Sequence, residues 1–185
     1  RGRSYHNIGN YEQALDDYNR AIDLDSDTPY AYIHRARTYH AVGDYEQAIA
    51  DNSQAAELDP NEATAYNNRG WAYYYIKDYE QAIADFSKAI EIDPSNPGYT
   101  APYNNRGWTY YLQGDYDQAL ADFNRAIELS PSAYAFIRRA VVYDASGAAA
   151  QATRDFNNAI EHYNGSQVNA HNSLAWTLAN DLDTH

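Results

Sequence analysis

The sequence predicts an all-α solenoid of short helix pairs, and three observations carry that prediction. The chain aligns with itself: Tyr5, Tyr39, Tyr73, Tyr110 and Tyr143 fill one column, and Ala14, Ala48, Ala82, Ala119 and Ala152 fill another. Successive steps in the alanine column are 34, 34, 37 and 33 residues, a period that marks a solenoid. In the best-kept copy, residues 63–96, Tyr79, Ala82, Ile83, Phe86, Ala89 and Ile90 recur at three-and-four spacing and draw one apolar helical face. Each copy is punctuated twice. Gly9, Gly43, Gly114 and Gly147 share a turn column, with Lys77 in that slot of the third copy, and Asp93-Pro94 ends the second helix, because proline disfavours helical geometry in the residue before it. One such pair cannot bury its apolar surface alone, so stacking must complete the core. Small Ala82, Ala89 and Gly70 let the paired helices approach, and Phe86 fills the remaining gap.

In that copy Tyr66, Gly70, Tyr73, Asp78-Tyr79, Ala82, Phe86, Ala89 and Pro94 form a pattern that resembles the tetratricopeptide repeat. The resemblance covers nearly the whole chain. It implies antiparallel helix pairs stacked into a right-handed α-α superhelix.

Taken in order, residues 1–28 read as a repeat missing its beginning, since Arg1-Gly2 aligns with Arg69-Gly70. Residues 29–62 form a full repeat with Asn52 where Phe86 stands in the next, a swap expected to weaken that joint. Residues 63–96 follow, then a three-residue insertion, Pro97-Gly98-Tyr99, which with Pro102 makes a stiffened longer turn. Residues 100–132 echo the third repeat, YNNRGWTYY against YNNRGWAYY. Residues 133–166 are the most worn copy, having lost the Asp-Tyr pair at the turn and the closing Asp-Pro. The repeat array thus spans 1–166. Residues 167–185 are expected to give a capping helix to about residue 180 and a polar tail.

Composition narrows the function. The chain of 185 residues carries a formal net charge of −13 and only two lysines, Lys77 and Lys88, which argues against nucleic acid, since phosphate rewards clustered cations. The absence of cysteine removes thiolate chemistry and zinc–thiolate sites and leaves the compartment open. No apolar run is long enough to cross a bilayer. Neither a phosphate-cradling loop, nor a nucleophile motif, nor metal-ligand spacing occurs, so no catalytic residue, metal or cofactor is expected. Asn164-Gly165-Ser166 fits a glycosylation acceptor, a short match that arises readily by chance.

Two features stand out. Arg1, Arg35, Arg69, Arg106 and Arg139 share one column, and Asp17, Asp51, Asp85, Asp122 and Asp155 share another. An arginine fork matches a carboxylate, so Arg69–Asp85 and Arg106–Asp122 are expected to tie helix to helix. The second is the first-helix face opposite the packing stripe, which the resemblance makes a concave binding groove. It would be lined by Arg37, Asn67, Trp71, Tyr74, Tyr75, Asn104, Trp108 and Tyr111. Trp and Tyr anchor interfaces; Trp71 and Trp108 step off the packing stripe and are expected to be exposed. Asn67 and Asn104 resemble the asparagine rows with which some family members hold peptide backbones. Lysine is missing from the first helices apart from Lys77 at a turn, which disfavours the family's basic carboxylate clamp.

The expected role is a non-enzymatic scaffold whose groove holds a protein or peptide. Two alternatives stay open. The chain could stack head-to-tail into a homo-oligomer or filament, through Tyr11, Leu15 and Tyr18 at one end and Leu174, Trp176 and Leu178 at the other. The aromatic row could instead stack on a glycan.

Overall fold

A computed structural model of the chain describes residues 1–162. The expected helix of residues 167–180, with Leu174, Trp176 and Leu178, and the Asn164 sequon lie outside the described residues. Within these there are ten helices and no strand: α1 (Gly2–Asn7), α2 (Tyr11–Leu24), α3 (Pro29–Ala41), α4 (Tyr45–Leu58), α5 (Ala63–Tyr75), α6 (Tyr79–Ile92), α7 (Ala101–Leu112), α8 (Tyr116–Leu129), α9 (Ala133–Ala145) and α10 (Ala149–His162).

The turn inside each pair explains the glycine column. Gly43 takes φ of 82°, a left-handed geometry that costs a side chain about 1–2 kcal/mol. That geometry turns the next amide back, so Asp44 N–H donates to the Tyr39 carbonyl at 2.9 Å and closes α3. The Asp44 carboxylate then accepts from the Gln47 N–H at 3.2 Å and opens α4. Asp78 and Asp115 repeat the cap at 3.2 Å each. At the far end, Asp59, Asp93 and Ser130 are pulled out of helical geometry before their prolines.

Consecutive helices pack on one another throughout, and α3, α5, α7 and α9 also touch in sequence along one face. The alanine columns are the seam: Ala14, Ala48, Ala82 and Ala119, with Ala55, Ala89 and Ala126, are fully buried. The inserted Tyr99 is anchored rather than loose, its hydroxyl donating to the Ala63 carbonyl at 3.1 Å, and burial pushes its phenol well above the usual range.

A lattice of arginines crosses the pairs. Arg69 donates from Nε and Nη2 to both Asp85 oxygens at 2.7 Å, and its Nη1 reaches back to the Ser53 hydroxyl at 3.0 Å. Arg35 grips Asp51 and Asn19, Arg106 grips Asp122 and Ser87, and Arg139 grips Asp155 and Asn124 in the same way. Each guanidinium thus ties its own helix pair and the second helix of the preceding one. The rungs are not equally comfortable. Desolvation raises the Asp122 carboxyl even though Arg106 draws it down. Arg1–Asp17 is the solvent-exposed member of the series.

Candidate functional site

The first-helix face gathers the groove residues, but neighbouring repeats treat identical slots differently. Trp71 and Trp108 share a slot and were both expected to be exposed. Trp108 is only 6 % exposed, which corrects that expectation. Its ring lies under the Arg138 guanidinium at 3.7 Å, packs on Tyr111 at 4.6 Å, and its Nε1–H donates to the Tyr74 hydroxyl at 3.1 Å. Burial raises the Tyr74 phenol in turn. Trp71 stays half-buried against Tyr74, Tyr75 and Phe86. The difference comes from the following repeat. It lays the long Arg138 over Trp108, whereas the matching sequence slot one repeat earlier holds the shorter Asn105, which is bonded to Asn67.

The asparagines also depart from expectation. Asn67 and Asn104 are buried. The Asn67 side-chain Oδ1 accepts from Asn105 Nδ2 at 2.9 Å, and Asn104 Nδ2 donates to the backbone carbonyl of Thr100 at 3.1 Å. Both amides lie within the stack, with the Asn104 Oδ1 left unmatched, so neither residue lies free along the groove.

Between the second and third pairs the face opens into a cavity of about 390 Å³, lined among others by Arg37, His40, Asn52, Asn68, Trp71 and Tyr75. Tyr75, 47 % exposed, stacks on Tyr45 at 5.0 Å and meets the edge of His40 at 4.9 Å. Arg37 is exposed at this site, and the lining includes no carboxylate although the chain as a whole is acidic. Burial lowers the pKa of His40; burial and then Arg37 lower those of His6 and His34. The three imidazoles are therefore held neutral near pH 7. Sequence reasoning named Arg37, Trp71 and Tyr75 but missed Asn52 and Asn68 as site residues. The signal was Asn52 standing in a phenylalanine column.

In the first pair, Tyr18 is not an open surface: it is buried, stacks on His34 at 5.9 Å, and crowds Gly2. Tyr11 and Leu15 are half-buried. Among the described residues no group of His, Asp and Glu is placed to hold a metal, and no helix is long and apolar enough to cross a membrane.

Family models of the tetratricopeptide repeat match residues 27–95, 62–132 and 104–165, and a further TPR repeat model matches residues 2–43. The chain belongs to the tetratricopeptide repeat family. Its fold is that family's right-handed α-α superhelix. No curated protein matches the sequence significantly. Among solved structures, a thermophilic TPR protein of Thermus thermophilus is 22 % identical with a TM-score of 0.78, over 96 % of this chain and 95 % of that one. MamA is 23 % identical with a TM-score of 0.77, over 88 % and 94 %. YrrB, described as a TPR protein with an unusual peptide-binding site, is 21 % identical with a TM-score of 0.69, over 93 % and 87 %. Identities this low speak to the shared fold.

Proposed function

We propose that this repeat array is a non-catalytic protein-interaction scaffold. We infer that it takes its partner as an extended peptide along the first-helix face at the second and third pairs. One observation carries the reading: the partly exposed Trp71–Tyr75–Tyr45–His40 cluster adjoins a cavity with cationic Arg37 and no acid in its lining. Rigid aromatic rings beside a cavity are the usual anchors of an interface. The same face is closed further along, where Arg138 roofs Trp108. The burial of Trp108 also interrupts the aromatic row on which glycan stacking would depend. The head-to-tail reading needs residues 167–185 and gains no support from the buried Tyr18.

The reading is tested with a displayed library of random peptides selected on the chain. Enriched peptides should lose at least about tenfold in affinity when Trp71 and Tyr75 are both replaced by alanine, with helical content nearly unchanged. A library that yields no enriched sequence, or peptides indifferent to both substitutions, removes it.

A further inference from the structure

In the third pair, a Cβ placed on Gly70 would sit 2.7 Å from the Phe86 ring. Glycine gives the ring its room here, whereas the fifth pair carries Ala140 with Phe156 in the same two slots. In the fourth pair Gly107 lies under Asp122 and Phe123, with 3.3 Å from a built Cβ to Phe123 Cζ. The second pair changes both members at once, Ala36 for the glycine and Asn52 for the ring. Ala36 and Asn52 lie buried at the floor of the cavity.

That cavity is polar, and its polarity is unspent. Asn52 is 1 % exposed. Its Nδ2 donates to the Ala48 carbonyl at 2.9 Å, which fixes the amide orientation, so Oδ1 is left as a buried acceptor with no partner. Asn68 Nδ2 is a buried donor with no partner, and His40 Nε2 is a third unmatched atom. All three residues line the same space. Buried polar atoms are almost always paired, and three left over in one cavity describe a ligand by its complement. The ligand must accept from Asn68 and donate to Asn52, while a neutral imidazole serves in either direction.

We propose that the hollow between the second and third pairs is a pocket for a primary carboxamide. The ligand group is the glutamine or asparagine side chain of the bound peptide, so the proposal rests on the groove reading above. The amide oxygen takes the Asn68 N–H, and the amide nitrogen donates to Asn52 Oδ1. A carboxylate of the same shape has no proton for Asn52, and an aliphatic side chain satisfies none of the three. The volume, about 390 Å³, falls at the small end of the ~300–1,000 Å³ typical of ligand pockets. It has room for a side chain together with part of the peptide that carries it. Arg37, exposed at this site, is placed to meet a carbonyl or acid of the same peptide.

The experiment uses single amino-acid probes, so it does not depend on finding the natural partner. The ¹⁵N-labelled chain is titrated with the N-acetyl methylamides of glutamine, glutamate and leucine, and the side-chain NH₂ signals of Asn52 and Asn68 are followed. The glutamine probe should shift both signals saturably, with the other two at least roughly tenfold weaker. The double variant Ala36→Gly/Asn52→Phe copies the Gly70–Phe86 packing and should fold with the Asn68 response abolished. Asn52→Leu, which keeps most of the volume but removes the acceptor, should lose the preference for glutamine over leucine. Equal responses to all three probes overturn the proposal. So does silence from all three, which would mean that the cavity holds only water. Glutamine binding that survives in the filled variant overturns it as well. Peptides that bind through Trp71 and Tyr75 without a carboxamide would leave the groove reading standing and remove this one alone.

Discussion

The second and third helix pairs share the same arginine rung and the same left-handed turn, yet one is hollow and the other is full. In the third, Phe86 is wholly buried over Gly70. In the second, Asn52 and Ala36 lie at the floor of the cavity, and Asn52 keeps an unmatched oxygen. The lattice of Arg35 and Arg69 continues unbroken across both. Cohesion between pairs and filling within them are thus separate properties. A repeat array can give up apolar volume at one position without breaking, because its other ties stay in place.

The sharpest way to break this comparison is to empty the full pair. Phe86→Ala should cost about 3–5 kcal/mol, whereas Asn52→Ala, which forfeits one hydrogen bond to Ala48, should cost about 1 kcal/mol. Denaturant unfolding reads both. Equal losses would mean that Asn52 is packed as tightly as Phe86. The rungs should behave in the opposite way, alike in both pairs. Asp51→Ala and Asp85→Ala should each cost about 3 kcal/mol, the low end for a stranded partly buried charge, because Asn19 or Ser53 still holds the arginine. Exposed Asp17→Ala should change little.

Acid should separate the two regions as well. His6, His34 and His40 are held below their ordinary value of 6.5, chiefly by burial. Below pH 6.5 the unfolded chain therefore takes up protons that the folded one resists. The stability from these groups is complete above that pH and is lost as pH falls through the lowered folded values. Hydrogen exchange near pH 5 should show α1–α4 opening before α5–α8, and His40→Gln should narrow the gap. The smallest effect is at the turns. Lys77 takes φ of 64° where the other pairs carry glycine, so Lys77→Gly should stabilise by about 1 kcal/mol and Gly43→Ala should destabilise by a similar amount. Thermal midpoints moving together would show that the turns are not equivalent.

The fold was legible because most pairs repeat the same punctuation. A turn glycine, an Asp cap and an Asp-Pro stop act over a few residues, and their meaning does not depend on what lies beyond the pair. The groove was less so, because exposure there is set one repeat away. Trp71 and Trp108 look the same in sequence, yet Trp108 is covered by Arg138 of the following repeat, and the slot matching Arg138 one repeat earlier holds Asn105. Asn67 and Asn104 looked available until Asn105 and Thr100 took up their amides. The cavity needs two substitutions read jointly, Ala36 and Asn52, and a column-by-column reading sees them singly.

That coupling also bears on how such a chain can change. Starting from the hollow pair, Asn52→Phe alone drives a ring toward the Ala36 methyl group, and Ala36→Gly alone loosens α3 by about 1 kcal/mol while enlarging the void. Only the two steps together reach the filled arrangement seen at Gly70 and Phe86. The fifth pair carries the intermediate itself, Ala140 with Phe156, and there the ring is half-buried where Phe86 is fully buried. Hollow and filled repeats are thus joined by a step that keeps the fold with a less deeply seated ring.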